Sequence, residues 1–169
     1  VRELAQNSLS PLMIATPTQD RLDDVATLST RLDSAGIARL GFAIADQLHD
    51  IKIAEDDALE ATVSAITETL SAAKRPLVIS GTSSRNADVM RSAANVAAAL
   101  KEINPNTGLC LCASECNSVG VALMDNEHSL TALLGSSPDT VVVLENDLAT
   151  TLGADFKQIA SSIKNLVVI

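Results

Sequence analysis

The stretch Pro76-Leu77-Val78-Ile79-Ser80-Gly81-Thr82-Ser83-Ser84 decides the fold class of this chain. Residues 76–80 are nearly all apolar, which predicts a strand covered by helices on both faces. Residues 81–84 are small and polar and predict a turn. Asn86 is then a predicted N-cap, because it precedes apolar residues that recur at helical spacing, namely Val89, Ala93, Val96 and Leu100.

The alternation of strand and helix continues to the end of the chain. Further strands are predicted at 109–113, 140–144 and 166–169, and a helix is predicted to start near Cys116-Asn117. Strands that alternate with helices are typical of right-handed βαβ units. Residues 76–169 are therefore predicted to form Rossmann-like βα repeats, an α/β fold with a parallel sheet and flanking helices. The last helix aligns four apolar residues on one face, Leu152, Phe156, Ile159 and Ile163.

Residues 36–75 form a predicted helical segment. One helix is expected from about Gly36 to His49, and a second follows a capping-box spacing at residues 57–60. The apolar stripe of the second helix consists of Leu59, Val63, Ile66 and Leu70.

Residues 1–35 are predicted to be irregular, with an edge strand between Pro11 and Pro17. The two prolines have no N–H group to donate to a neighbouring strand. The start, Val1-Arg2-Glu3, has neither a signal peptide nor an initiator Met. A strand of the buried type also ends the chain without a helix to cover it. The chain is therefore expected to be a piece cut from a longer protein.

Composition excludes several classes of function. The chain has 169 residues, of which 47% are hydrophobic, with two Phe and no Tyr or Trp, so aromatic platforms for single-stranded nucleic acid are excluded. Twelve basic against 21 acidic residues give a net charge of −9, the wrong sign for binding nucleic acid or an anionic membrane surface. No apolar run approaches the roughly 20 residues that span a bilayer, so direct membrane insertion is not expected.

The loop at residues 80–84 is a candidate anion site, because it lies between a strand and a helix N-terminus. Gly81, Thr82 and Ser83 are the residues that would line it. The loop lacks the G-x-G-x-x-G spacing and a Walker-type Lys, which favours a turn closed by its own Ser and Thr side chains.

The three cysteines, Cys110, Cys112 and Cys116, have a spacing that argues against an iron–sulfur cluster. Cys110 and Cys112 lie two apart on a predicted strand, so they share one face, and no fourth Cys exists. We expect both to be packed in the core, where replacement by Ser costs about 1–3 kcal/mol. Cys116, near a predicted helix N-terminus, is the more reactive candidate. An odd number of cysteines favours a reducing, cytoplasmic setting.

No catalytic residue and no metal site can be assembled from the remaining candidates. His49 and His128 have no partner at ligand spacing and are predicted surface residues. Asn146 and Asp147 follow a predicted strand at the edge where α/β folds bind ligands, and the competing interpretation is that Asp147 caps the next helix.

Five segments carry a resemblance to a family of respiratory proteins, the large iron–sulfur subunit (the G subunit) of bacterial NADH-quinone oxidoreductase, also called complex I. The chain resembles a C-terminal part of that subunit from about residue 37 to 169. The segments are Arg39-Leu40-Gly41-Phe42-Ala43-Ile44-Ala45, Arg75-Pro76-Leu77-Val78-Ile79-Ser80-Gly81-Thr82, Ala93-Ala94-Asn95-Val96-Ala97, Asn117-Ser118-Val119-Gly120 and Val141-Val142-Val143-Leu144-Glu145-Asn146-Asp147-Leu148.

That family is similar to the molybdopterin oxidoreductases, which include formate dehydrogenases. Asn117, Gly120 and Met124 follow the pattern that those enzymes show after the corresponding strand. Where the cofactor-binding members commonly have a Gly-x-Asn-Pro turn, this chain has Glu145-Asn146-Asp147-Leu148. Two carboxylates facing a pyrophosphate would repel it. The resemblance therefore implies a vestigial site, without a bound cofactor, at Gly81, Thr82, Ser83, Asn117, Gly120, Asn146 and Asp147.

The resemblance implies a non-catalytic structural domain that scaffolds the peripheral arm of a complex transferring electrons from NADH to quinone. The iron–sulfur clusters would lie in an N-terminal region absent here. The partners would be the rest of the same subunit and other peripheral-arm subunits, on the cytoplasmic side of the inner membrane. Two alternatives stay open. One is a molybdopterin guanine dinucleotide-binding domain of a formate dehydrogenase-like oxidoreductase. The other is the central domain of a thiamine-diphosphate enzyme, which also presents a strand and turn similar to Lys74-Arg75-Pro76-Leu77-Val78-Ile79-Ser80-Gly81.

Overall fold

The computed structural model describes residues 2–7, 10–51, 57–113, 117–124 and 130–169. The chain divides into two compact units, Val1–Cys116 and Asn117–Ile169, and each is described by itself. Both units have the α/β architecture predicted from the sequence, with parallel strands flanked by helices. The division into segments 1–35, 36–75 and 76–169 stays a prediction.

The strands of the described residues form three parallel pairs rather than one continuous sheet. In the first unit, β1 (Met13–Thr16) pairs with β2 (Leu28–Arg31), and β3 (Leu77–Gly81) pairs with β4 (Gly108–Cys112). In the second unit, β5 (Thr140–Val143) pairs with β6 (Asn165–Val168). The edge strand expected between Pro11 and Pro17 is present as β1, whereas its partner β2 was not predicted.

Eight helices flank these strands within the described part of the chain. They are α1 (Arg2–Asn7), α2 (Ser34–Leu48), α3 (Asp57–Ala72), α4 (Ala87–Ile103), α5 (Ser118–Met124), α6 (Leu130–Gly135), α7 (Leu148–Leu152) and α8 (Phe156–Ser162).

The core of the first unit lies where α2, α3 and α4 meet. Its buried side chains include Leu40 and Ile44 of α2, Val63 and Ile66 of α3, and Leu100 of α4. This confirms the apolar stripes predicted for α3 and α4. Met13, Ala15, Leu28 and Val78 of the strands pack against the same cluster.

The helices α2 and α4 approach closely at Gly41. A Cβ built there would lie 2.8 Å from the Cβ of Ser92, so only glycine fits this crossing. Ser92 is 2% exposed, and its hydroxyl donates to the Val89 carbonyl at 3.0 Å, which satisfies its buried polar group.

Local signals set the ends of the helices. Asp33 caps α2 by accepting from the Gly36 N–H at 2.7 Å, so this helix starts two residues before the predicted start at Gly36. Asn86 caps α4, as predicted, by accepting from the Asp88 N–H at 2.9 Å. The capping box predicted at residues 57–60 involves side chains outside the described residues.

The second unit is built on β5 and β6, with Val141, Val143 and Ile163 as its buried core and Leu148 and Ile159 packed against it. The single amphipathic helix predicted through Leu152 and Ile163 is wrong. Gly153 takes a positive φ of 58°, which ends α7, and a 3-10 turn at Gly153–Asp155 precedes α8. Ile159 and Ile163 still reach the core.

The expectation that the strand at residues 76–80 is covered on both faces is also wrong. On β3, Leu77 is 55% exposed and Ile79 48% exposed, while Val78 between them packs on the core. On β4, Leu109 and Leu111 are exposed as well. Helix α4 therefore covers one face of β3 only. On β4 both faces are exposed, because Leu109 and Leu111 pair with Val78 and Ser80 on the side of the core, and Cys110 and Cys112 lie on the opposite side.

Candidate functional site

The loop after β3 is closed by its own hydrogen bonds. Residues Thr82–Ser84 form a 3-10 turn in which the Arg85 N–H donates to the Thr82 carbonyl at 3.0 Å. The Asn86 N–H donates to the Ser84 hydroxyl at 3.4 Å, and Arg85 takes a left-handed conformation with φ 52°. The predicted turn is confirmed, with the Ser84 side chain as one of its acceptors and Thr82 accepting through its main-chain carbonyl. The anion-binding role of Gly81, Thr82 and Ser83 stays a prediction.

Asn117 and Gly120, expected at the vestigial site, contact each other. Asn117 precedes α5 and accepts the Val121 N–H on its carbonyl at 3.0 Å. A Cβ on Gly120 would overlap the side-chain oxygen of Asn117, so the glycine makes room for the asparagine folded over the first turn. The Asn-x-x-Gly spacing thus has a packing role here. Met124, the third residue of that pattern, is 85% exposed.

Asp147 caps α7, as the competing interpretation predicted. Its carboxylate accepts from the Thr150 N–H at 3.2 Å and from the Thr150 hydroxyl. Asn146 and Asp147 line a small cleft of about 300 Å³ at the carboxyl ends of β5 and β6, together with Val143, Phe156 and Val168. A carboxylate among the lining residues disfavours an anionic ligand.

The chain between β5 and α7 turns sharply. Glu145 has a positive φ of 47°, and its N–H donates to the Ile169 carbonyl at 2.9 Å.

The seven candidate residues are divided between the two units. Gly81, Thr82 and Ser83 belong to the first unit, and Asn117, Gly120, Asn146 and Asp147 belong to the second.

Cys110 and Cys112 are exposed, so the expectation that they pack in the core is wrong. Their sulfur atoms lie 3.9 Å apart on one face of β4, which confirms that they share a face. The Cys110 side chain, through its hydrogen bond and then its charge, raises the pKa of the Cys112 thiol. Cys116 lies outside the described residues. Within the described ranges, no cluster of three or more His, Cys, Asp or Glu side chains has the geometry to hold a metal ion.

His49 closes α2 at the surface, as predicted, with its Nδ1 3.7 Å from the Glu102 carboxylate. At this distance and exposure the pair is a weak surface interaction. His128 lies outside the described residues.

A network that the sequence analysis missed joins β1, β2 and the turn between them. The guanidinium of Arg31 and the hydroxyl of Ser29 donate to the Asp23 carboxylate, and the Asp20 N–H does so at 2.7 Å. These bonds, that from Arg31 first, hold the pKa of Asp23 well below its usual value of 3.8. Arg31 also donates to the Thr16 hydroxyl at 3.0 Å. All of its members lie within residues 16–31, but the contacts depend on the pairing of β1 with β2, and the sequence analysis did not predict β2.

An open cleft of about 960 Å³ lies in the first unit and was also missed from the sequence. All of β1 and all of β3 line it, whereas β2 and β4 do not. Its floor is formed by α2 and α4, with Leu40, Ile44 and Val96 among the lining residues.

No protein-family model matches the chain. The chain is 40% identical to the G subunit of NADH-quinone oxidoreductase of Pseudomonas putida over 154 residues, which cover 88% of this chain and 17% of the relative. The same subunit of Pseudomonas fluorescens is 40% identical over 157 residues, covering 89% of this chain and 17% of its own length. The chain is homologous to a stretch of the G subunit.

The resemblance inferred from the sequence is thereby confirmed. The G subunit of Escherichia coli K12 gives the same picture, with 38% identity over 154 residues, 88% of this chain and 17% of the relative. The chain thus spans about one sixth of the length of the G-subunit relatives that it matches. In the part of the chain that the structure describes, no helix combines the length and apolar character needed to cross a membrane.

Proposed function

We propose that the chain is a non-catalytic structural domain of the G subunit of NADH-quinone oxidoreductase, the complex that passes electrons from NADH to quinone. The observation that carries the proposal is the identity of 38–40% over 88% of the chain to the G subunits of three species. The matched stretch is a small part of each relative, so the chain acts as one domain within a larger subunit.

The hydrogen bonding of the candidate residues supports a scaffold rather than a ligand site. The Asp147 carboxylate caps α7, Asn117 packs on Gly120, and the loop at Thr82–Ser84 is closed by its own bonds. A dinucleotide-binding loop needs backbone N–H groups and side chains that point at phosphate oxygens. In this chain the Asp147 carboxylate, the Asn117 side chain and the polar groups of the Thr82–Ser84 turn instead stabilise the local backbone.

The proposal extends to the surroundings of the domain. Its partners are the rest of the G subunit and other peripheral-arm subunits, on the cytoplasmic side of the inner membrane. The iron–sulfur clusters of the G subunit lie in its N-terminal region, and this domain binds neither a cluster nor a pterin.

Deleting this stretch from the chromosomal gene of the G subunit tests the scaffold role. We expect native gels to lose the assembled complex and membranes to lose NADH-quinone turnover, while electron paramagnetic resonance still detects the clusters of the truncated subunit. A fully assembled, active complex after the deletion would refute the proposal.

Substitutions at the strand ends separate a scaffold from the alternative, a domain that binds molybdopterin guanine dinucleotide. Ser83→Ala and Asn146→Ala in the assembled complex should each leave turnover within about twofold of the wild type. Loss of turnover with normal assembly, or saturable micromolar binding of the dinucleotide by the wild-type chain alone, would favour the alternative.

A further inference from the structure

The cleft of the first unit lies between two strand edges. Because β1 and β3 line it along their whole length and β2 and β4 do not, the two edges that face the cleft are those of β1 and β3. Among the described residues, β1 pairs with β2 alone and β3 pairs with β4 alone. Each edge therefore presents backbone N–H and C=O groups to the cleft, and such groups form hydrogen bonds when they are covered.

The floor of the cleft is apolar and is continuous with the core. Leu40 is 3% exposed, Ile44 6% and Val96 5%, and all three line the cleft while belonging to the core cluster. The cleft is open to the surface, so a segment can enter it and lie against this floor. A segment that covers this floor needs apolar side chains at alternate positions, as a strand provides.

The position of the charged residues disfavours a nucleotide in the cleft. The charged residues that line it are Lys74 and Arg75, which precede β3, whereas α/β folds bind nucleotides at the carboxyl ends of their strands. Within the described part of the chain, acidic residues do not line the cleft, although the whole chain carries a net charge of −9.

We propose that an extended segment from the remainder of the G subunit enters this cleft as a strand between β1 and β3, joining the two strand pairs into one sheet. The proposal rests on the proposed function. The chain spans 17% of the length of its relatives, so most of the G subunit lies outside it and can supply the segment. A strand of about five residues, roughly 17 Å long, would run along the whole of β3. Backbone pairing at the edges would supply affinity, and the apolar floor would supply specificity.

Site-specific photo-crosslinking in the full-length subunit tests the position of the segment. A benzophenone amino acid replaces Ile14 of β1, Ile79 of β3, or Asn95, an exposed residue of α4 that does not line the cleft. We expect Ile14 and Ile79 to crosslink to one and the same segment outside these 169 residues, and Asn95 not to reach it. Crosslinks from Ile14 and Ile79 to two different segments, to a second copy of the chain, or to none would overturn the proposal.

A matched pair of substitutions tests whether the cleft itself holds the segment. The chain is co-expressed with the remainder of the G subunit as a separate polypeptide. Ala93 lines the cleft, whereas Ala98 is exposed on the same helix and does not line it. We expect Ala93→Trp to reduce co-purification at least tenfold and Ala98→Trp to leave it within twofold, with circular dichroism showing that both variants fold.

The outcomes distinguish the two proposals. If the wild-type chain does not associate with the remainder of the G subunit, the proposed function fails. If it associates and Ala93→Trp associates equally well, or if both variants lose association equally, the strand proposal fails while the proposed function stands.

Discussion

Gly81 of β3 pairs directly with Cys112 of β4, and a Cβ on Gly81 would lie 2.7 Å from the Cys112 carbonyl oxygen. The sequence alone suggests one reason why Gly81 would be costly to replace, a positive φ that other residues rarely adopt. The observed φ is −164°, extended backbone that any residue adopts, so that condition does not hold. The glycine is required because two backbones approach closely at the end of the strands.

Gly81→Ala should therefore destabilise the first unit by about 1–3 kcal/mol, because the Cβ forces the two strands apart. Urea unfolding followed by circular dichroism measures the change. Gly108→Ala on the partner strand is the matched control, since a Cβ there would meet only the Cδ1 methyl of Leu77 at 3.0 Å, and that exposed side chain can move. Equal stability of both variants would contradict the close-approach argument.

The sequence predicted those features that local patterns encode. Apolar periodicity located α2, α3 and α4, and the position of Asn86 and Asp147 before apolar runs identified both as caps. Strand β2 escaped prediction because Leu28–Arg31 has one apolar residue in four, and its pairing with β1 defines it. The break at Gly153 was missed because periodicity alone does not reveal a positive φ.

The sequence predicted which loops carry the candidate residues, but it did not predict which side chains contact each other. Strand ends follow from the strand pattern, which placed Gly81 and Asn146 correctly. The Asp23–Arg31 network depends on the unpredicted strand β2, which carries Arg31. The cleft between β1 and β3 depends on packing between distant segments, which one sequence does not specify. The exposure of Cys110 and Cys112 was not predictable either, because it depends on whether another element packs against β4.

The lowered pKa of Asp23 predicts a stability that depends on acid pH. Because the unfolded chain holds the Asp23 proton more tightly than the folded chain, this stabilisation is complete above about pH 5 and is lost as the pH falls toward the folded-state pKa. Asp23→Asn should flatten the fall of the urea midpoint between about pH 5 and pH 2.5. Asp24→Asn, an exposed neighbour in the same turn, should keep the wild-type slope; a wild-type slope in Asp23→Asn would contradict the pairing with Arg31.

The raised pKa of Cys112 predicts coupled reactivity of the two exposed thiols. Cys110→Ala removes the hydrogen bond and the charge that raise this pKa, so alkylation of Cys112 by iodoacetamide should reach its maximal rate at a lower pH. Mass spectrometry of the labelled peptide gives the rate, in a Cys116→Ala background that removes the third thiol. An unchanged pH profile would show that the thiols do not interact.

The exposure of the same cysteines also corrects the expected cost of replacing them. Cys110→Ser and Cys112→Ser should each change the free energy of unfolding by no more than about 0.5 kcal/mol, because a hydroxyl on an exposed face finds water. A loss of about 1–3 kcal/mol in urea unfolding of the chain alone would mean that these side chains are covered in solution.

Thr67 on α3 is 9% exposed, and its hydroxyl oxygen is buried without a hydrogen-bond partner among the described residues. A buried hydroxyl left unpaired costs about 1–3 kcal/mol, so the isosteric Thr67→Val should raise the free energy of unfolding by about 1 kcal/mol. Thr69→Val is the matched control on the same helix, because the Thr69 hydroxyl donates to the Ala65 carbonyl at 2.7 Å and its loss should not stabilise the chain. Urea midpoints at constant slope measure both changes. Destabilisation by Thr67→Val would show that the hydroxyl is satisfied in solution, for instance by a bound water.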